Sequence, residues 1–258
     1  MGESIILGIL GLFLGRFLNL SIDRLPPRGT PSPDAGPNSR SPSSSHPPLL
    51  VSLAPLVGGF WPPGPARPET RTLVRYPVVE LLTAGLCGLI GHHYGLTLAA
   101  GVLIVYCALL VHFTFVDLEH SLILNKVVLP ALPLCIALFP FSPLGQTWGI
   151  GEAYLRSLEG AGLGFGIMLV VYIASRGGTG AGDVKLAALL GAILGFPQIA
   201  AGLPIGFVIG GLVGMAVLVL RLKGRKDSIP FGPSLIIGTG LVLLGGSGVY
   251  DWYLNLFR

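Results

Sequence analysis

The sequence predicts an all-α membrane protein, a polytopic bundle of about eight transmembrane helices. Three observations lead there. Only 11% of the 258 residues are charged, against about 25% in an average soluble domain, too few to cover a globule of this size with solvated groups. Hydrophobic residues make up 52% and mean hydropathy is +0.77, which also excludes disorder, a state of low hydrophobicity and high charge. The apolar runs are continuous, whereas a lipid-facing β-barrel would alternate apolar and polar residues.

At about 20 apolar residues per crossing, spans are predicted over roughly 4–22, 76–94, 96–116, 122–140, 157–175, 184–202, 204–221 and 232–249. The first is preceded by Glu3 and no basic residue, so a cleaved signal peptide is not expected. The segment 23–75 is different in kind. It holds Pro26-Pro27, Pro31-Ser32-Pro33 and Trp61-Pro62-Pro63-Gly64-Pro65, and prolines at this density forbid regular helix. It reads as a cytoplasmic loop, partly polyproline II and partly disordered. Within it, Leu49 to Trp61 is apolar enough to lie on the membrane surface or dock on the bundle.

Residues 76–258 then read as a seven-helix membrane core. The second and third spans meet at Gly91-His92-His93-Tyr94-Gly95, where both histidines read as solvated, and the sixth and seventh meet near Gly195-Phe196-Pro197. Gly160, Gly162, Gly164 and Gly166 in the fifth span imply close helix packing. Cys87, Cys107 and Cys135 lie far apart in apolar stretches with no CxxC pair, so they read as small buried hydrophobes. No internal repeat is apparent.

Charge sets the orientation. Arg24, Arg28, Arg40, Arg67, Arg71 and Arg75 follow the first span, Lys126 the third, Arg176 and Lys185 bracket the loop after the fifth, and Arg221, Lys223, Arg225 and Lys226 follow the seventh. With eight spans these fall on one side, leaving Arg156 and Arg258 on the other. Cytoplasmic loops carry the Lys/Arg excess, so both termini are expected outside. The net charge of +4 is thereby explained by topology, and no nucleic-acid partner is expected.

Charged residues within spans cost several kcal/mol and default to functional candidates. Asp183 lies in Gly177-Gly178-Thr179-Gly180-Ala181-Gly182-Asp183-Val184-Lys185-Leu186. The glycines let backbone approach a ligand or another helix closely, or leave irregular backbone around a wet cavity. Their spacing matches neither a P-loop nor a dinucleotide fingerprint. Asp117, in Phe115-Val116-Asp117-Leu118-Glu119-His120, ends the third span at the same predicted face. Taken singly, Asp117 and Glu119 read as helix-end caps. Taken together, Asp117 and Asp183 make a pair that cannot both ionise easily at close range. One then serves as general base to water and the other as general acid to a leaving amine. Lys185 lies roughly 200° round a helix from Asp183, which favours snorkelling toward lipid phosphate; the other reading is that it holds Asp183 ionised.

Gly180-Ala181-Gly182-Asp183 fits the GxGD motif of intramembrane aspartic peptidases, and Gly177 to Leu186 resembles that of the type IV prepilin leader peptidases of bacteria. Asp117 to Pro130 is similar to that family's first-aspartate segment, although Leu124 and Asn125 stand where the family has Pro and Asp. Gly15-Arg16-Phe17-Leu18-Asn19 with Asp23-Arg24-Leu25-Pro26, Arg75 to Thr83, and Ile229-Pro230-Phe231-Gly232-Pro233 resemble its first-, second- and eighth-helix signatures.

The resemblance implies an eight-helix aspartic endopeptidase of the bacterial inner membrane. It would remove the basic leader of a prepilin or pseudopilin after a glycine, at the cytoplasmic membrane edge. It carries Asp117 and Asp183 over as the catalytic pair, with Gly180, Gly182, Lys185, Pro230 and Gly232 supporting. No cofactor is implied for proteolysis. Many relatives also methylate the new N-terminus with S-adenosylmethionine, an activity tied to the first loop and its flanks. Arg16, Asn19 and Glu80 are the residues left for it, and this second activity stays open. Many relatives hold two CxxC pairs in that loop; here it has no cysteine and only His46, so no zinc is expected. Membrane lipid is the other expected partner. Two rival readings remain: a transporter relaying ions or protons through intramembrane carboxylates, and a catalytically dead assembly factor.

Overall fold

The structure, a computed structural model, describes residues 2–23, 70–120, 125–175, 179–220 and 231–255. Among these are eight α-helices and no strand: α1 Gly2–Asp23, α2 Thr70–Tyr94, α3 Leu98–His120, α4 Asn125–Leu138, α5 Ile150–Ala174, α6 Ala181–Leu194, α7 Ile199–Val219 and α8 Gly232–Asn255. Four are long and apolar enough to cross a membrane, α1, α3, α5 and α7, and shorter apolar stretches run over Val127–Phe141 and Gly232–Gly246. The protein is an all-α, multi-pass membrane protein. The Pro-rich loop expected over 23–75 lies outside the described residues between 24 and 69. The chain divides into two compact units, Met1–Leu96 and Thr97–Arg258.

Unit 1 is an antiparallel hairpin of α1 and α2. Its contact is built on absent side chains. A Cβ on Gly11 would stand 2.7 Å from the Ala84 Cα, and one on Gly15 2.8 Å from the Glu80 Cα. Small residues bring transmembrane helices into backbone contact. Gly95, with φ +60°, ends the hairpin beneath the Glu3 carboxylate. His92 and His93 are exposed in the last turn of α2.

Unit 2 is organised around α6. From Leu186 to Leu194 every residue of α6 is buried. A helix that is apolar all round belongs in the middle of a bundle. Against α5, Gly160 meets Gly191 and Gly164 meets Ala187 so closely that a Cβ on either glycine would lie 2.3 Å from the facing carbonyl oxygen. The Ser157 hydroxyl donates to the Ala192 carbonyl at 2.8 Å. Gly162 and Gly166 meet nothing within 4 Å, so only alternate members of the predicted glycine run make the crossing. In α7 and α8, Gly206 lies against Leu235, Gly238 against Gly206, and Gly210 against the Phe231 ring. The Tyr106 hydroxyl donates to the Cys135 carbonyl at 2.8 Å, tying α3 to a carbonyl at the end of α4 that the helix itself leaves open.

Several span boundaries differ from expectation. The sixth helix ends at Leu194 and the seventh starts at Ile199, so the two meet at the expected Gly195-Phe196-Pro197, although the expected bounds of 202 and 204 lie beyond it. Gly195 adopts φ +70°, a conformation glycine adopts at little cost, and Phe196-Pro197 completes the turn. All three residues are uncharged, so hydropathy passes over the break. The fifth helix starts at Ile150, seven residues earlier than predicted, because Glu152, Arg156 and Glu159 pair along its first turns at 3.2 and 3.7 Å.

These lengths set depth. The facing pairs Gly160–Gly191 and Gly164–Ala187 put Asp183 level with Met168, six residues before the end of α5. At 1.5 Å per residue, Asp183 is recessed about 9 Å from that end. By the same reckoning Gly232, at the start of α8, lies opposite the middle of α7, about 15 Å short of its far end.

Candidate active site

The three helix ends that carry the sequence-predicted residues of unit 2 converge. Asp117 belongs to the last turn of α3 and is 4% exposed. Its carboxylate abuts Gly232, the first residue of α8: a Cβ built on Gly232 would stand 2.6 Å from Asp117 Oδ2 and 3.2 Å from its Cγ. The same Cβ would lie 3.3 Å from Leu186 Cδ2 on α6. Leu186 follows Asp183 by three residues, so the two share a face of α6. The face of α6 that bears Asp183 is thus directed at the contact between Asp117 and Gly232.

The local sequence explains each placement. Gly180 precedes α6 in extended conformation, its N–H donates to Asp183 Oδ2 at 3.3 Å, and the Asp183 N–H donates to the Gly180 carbonyl at 3.0 Å. A carboxylate at the third helical position reaching back to the cap N–H satisfies a donor that the helix leaves open and complements the helix dipole. Asp183 is half-buried, Gly182 likewise, and Gly180 is exposed, so this turn borders space, not packing. Lys185 is half-buried. At α8 the Phe231 carbonyl accepts from Ser234 and Leu235 at 3.1 and 3.4 Å, and Pro233 sits in the first turn, where its missing N–H costs nothing. Pro230 lies outside the described residues, as do Gly177, Gly178, Ile123 and Leu124.

Unit 1 gathers Arg16, Asn19 and Glu80. Arg16 and Glu80 form an ion pair at 3.4 Å with side chains 6% and 5% exposed. Asn19 is fully buried and its Nδ2 donates to the Tyr76 carbonyl at 3.2 Å. Three further residues join them. Arg75 pairs with Asp23, the Tyr76 hydroxyl donates to Asp23, and both arginines lie over the Tyr76 ring, at 5.2 and 5.1 Å from its centre. The signal for this cluster was in the sequence: 16, 19 and 23 fall on one face of α1, and 76 and 80 on one face of α2.

The cluster is electrically neutral, two arginines against two carboxylates. Arg16 Nε and Asn19 Oδ1 are buried without a hydrogen-bonding partner, one donor and one acceptor. S-adenosylmethionine carries a carboxylate and a sulfonium. The arginines here already face carboxylates, so the described part of unit 1 does not by itself fit that group. Among the described residues no group of three His, Cys, Asp or Glu is arranged to hold a metal ion; the first loop, on which the zinc expectation bears, lies outside them. Cys87, Cys107 and Cys135 are buried thiols outside any disulfide.

Comparison with known proteins gives a consistent picture. The model of the type IV leader peptidase family matches residues 104–218, a stretch holding both Asp117 and Asp183. The prepilin leader peptidase/N-methyltransferase of Aeromonas hydrophila is 30% identical over 280 residues, covering 96% of this chain and 93% of that protein. The proteins of the same name from Bacillus subtilis (strain 168) and Neisseria gonorrhoeae are each 29% identical, over 97% and 96% of this chain and 98% and 93% of their own length. No solved structure gives a significant match.

Proposed function

Because the chain belongs to the type IV leader peptidase family, we propose that it is a membrane-embedded aspartic endopeptidase. It removes the N-terminal leader of type IV prepilins or pseudopilins at the cytoplasmic face of the bacterial inner membrane. The observation that carries the reading is the meeting at Gly232 of the Asp117 carboxylate and the α6 face that bears Asp183.

In this reading Asp117 and Asp183 share one proton. The ionised carboxylate takes a proton from water as that water attacks the scissile carbonyl. The protonated one gives its proton to the departing amine. A proton shared between facing carboxylates is what like charges at close range require. The recess of both residues below the ends of α5 and α7 supports the chemistry, since a partly dry site strengthens each electrostatic contact. The domain division follows: residues 1–22 as first helix, 23–75 as cytoplasmic loop and 76–258 as the catalytic core, both termini outside. A substrate with a basic leader and an apolar segment suits a chain presented along the membrane. The transporter and assembly-factor readings draw no support from a similarity that spans nearly the whole chain.

The relatives' printed names add N-methyltransfer. For this chain that second activity rests on those names. No step through S-adenosylmethionine is derived. Proteolysis requires no cofactor, and zinc is not part of the proposal.

The test is leader removal from a prepilin co-expressed in membranes. D117N and D183N should each reduce cleavage at least ~10³-fold, within the usual contribution of general acid–base groups, with the variant protein still accumulating. Either variant cleaving at the native rate would sink the dyad. Transfer of a labelled methyl group from S-adenosylmethionine to the cleaved product, read in the same membranes, decides the second activity.

A further inference from the structure

We propose that Gly232 and Leu186 are positioning residues of the dyad, Gly232 by leaving the space in which the Asp117 carboxylate is seated and Leu186 by holding the Asp183 face of α6 against that seat. The proposal rests on the reading of Asp117 as a catalytic group and adds how it is held.

Gly232 is the first residue of α8, and its backbone does not require glycine. Positive φ values occur at Gly95, Gly195 and Gly246, not here. An alanine would be the better helix former. What glycine supplies is room: a methyl group would lie 2.6 Å from Asp117 Oδ2, about 0.7 Å inside an ordinary carbon–oxygen contact of about 3.3 Å. The neighbours fix the seat and leave little freedom to adjust. Phe231, immediately before, is wedged against Gly210 and stacks near Phe207 with ring centres 5.4 Å apart. Gly206 and Gly238 lock α8 onto α7 at backbone distance. The carboxylate, not the helix, is therefore the part that would give way.

Leu186 closes the other side. It is fully buried, and its Cδ2 would stand 3.3 Å from the same added methyl. It lies one turn after Asp183 in the most enclosed helix of the unit. Its volume therefore spaces the two aspartates: truncation lets α6 or the carboxylate collapse inward, and a bulkier group drives them apart.

The experiment uses the purified full-length protein and a synthetic prepilin N-terminal segment that includes its apolar stretch. G232A is expected to lower kcat at least tenfold with KM within about twofold of native, because sub-ångström misplacement of a reacting group acts on the chemical step. L186A is expected to lower kcat similarly, and L186M, of similar volume, to retain it. In the double variant G232A/L186A activity is not restored, since the nearer clash is with Asp117. Native kcat in G232A would overturn the proposal, and so would restoration of native kcat in the double variant. Should G232A fail to accumulate, the comparison of L186A with L186M decides: equal kcat in the two refutes the spacing role. D117N is run alongside. Cleavage by D117N would remove the dyad reading itself, whereas an inactive D117N with a fully active G232A removes only the present proposal.

Discussion

Gly164 offers a prediction with its own internal control. In Gly164→Ala the added methyl would fall 2.3 Å from the Ala187 carbonyl oxygen and 3.0 Å from its carbon. A carbon–oxygen contact settles near 3.3 Å, so α5 and α6 must part by about 1 Å. α6 carries Asp183 and Leu186, and the clash, at Ala187, lies one turn beyond Asp183 and next to Leu186. A displacement of about 1 Å in a catalytic group costs on the order of 10²-fold in rate, while overpacking a tight contact costs about 1–3 kcal/mol in stability. Gly162→Ala and Gly166→Ala make the same chemical change on the same helix, where nothing lies within 4 Å. They should cleave at the native rate and gain up to about 1 kcal/mol from helix propensity. The assay is leader cleavage by detergent-purified protein, with thermal unfolding followed in parallel. If G164A keeps native activity, or G162A falls as far as G164A, the link from the α5–α6 crossing to the active site is refuted.

Three other outcomes are expected. Removing one partner of the buried Arg16–Glu80 pair, as in E80A, should cost about 3–5 kcal/mol by leaving an uncompensated buried charge; the reversal R16E/E80R should recover part of it, read as melting temperature. Leader cleavage should survive prolonged treatment with a strong zinc chelator, because structural zinc sites are built from about four Cys and His ligands and the first loop has no cysteine and a single histidine, His46; a chelator that abolished activity reversibly by zinc would overturn this. Single cysteines introduced in the first loop should be labelled by a membrane-impermeant thiol reagent only after the cytoplasmic side is opened, and a cysteine at the C-terminus without opening.

The order of the described helices was legible because the sequence divides into separate apolar runs. Asp117 and Asp183 became candidates because so few charges exist that two in apolar segments stand out. The break at Gly195 was legible in its Gly-Phe-Pro residues, although hydropathy, which does not dip there, carried the span bounds past it. Period alone could not tell that Gly160 and Gly164 face α6 while Gly162 and Gly166 do not; alternate residues of one run lie on nearly opposite sides, and which side finds a partner is decided by other helices. The contact of Asp117 with Gly232 joins residues more than a hundred positions apart, and Leu186 reads in sequence as one more apolar residue. Asp23 and Tyr76 lie on the faces that spacing gives Arg16, Asn19 and Glu80, but only the hairpin shows that the two faces meet and that Arg75 joins them.

The shortness of α6 has a consequence for whatever chain is cut. A depth of about 9 Å is crossed by about three residues of extended backbone, whereas a helix would need six and would keep its amide groups closed to attack. On the proposed reading, the substrate must therefore unwind about one turn before the aspartates can reach a peptide bond. The free energy of that local melting is a property of the substrate, not of the enzyme. Substrates should then rank by how readily their helix frays at that one turn, and a stretch of strong helix formers placed there should resist cleavage even with every side-chain contact preserved.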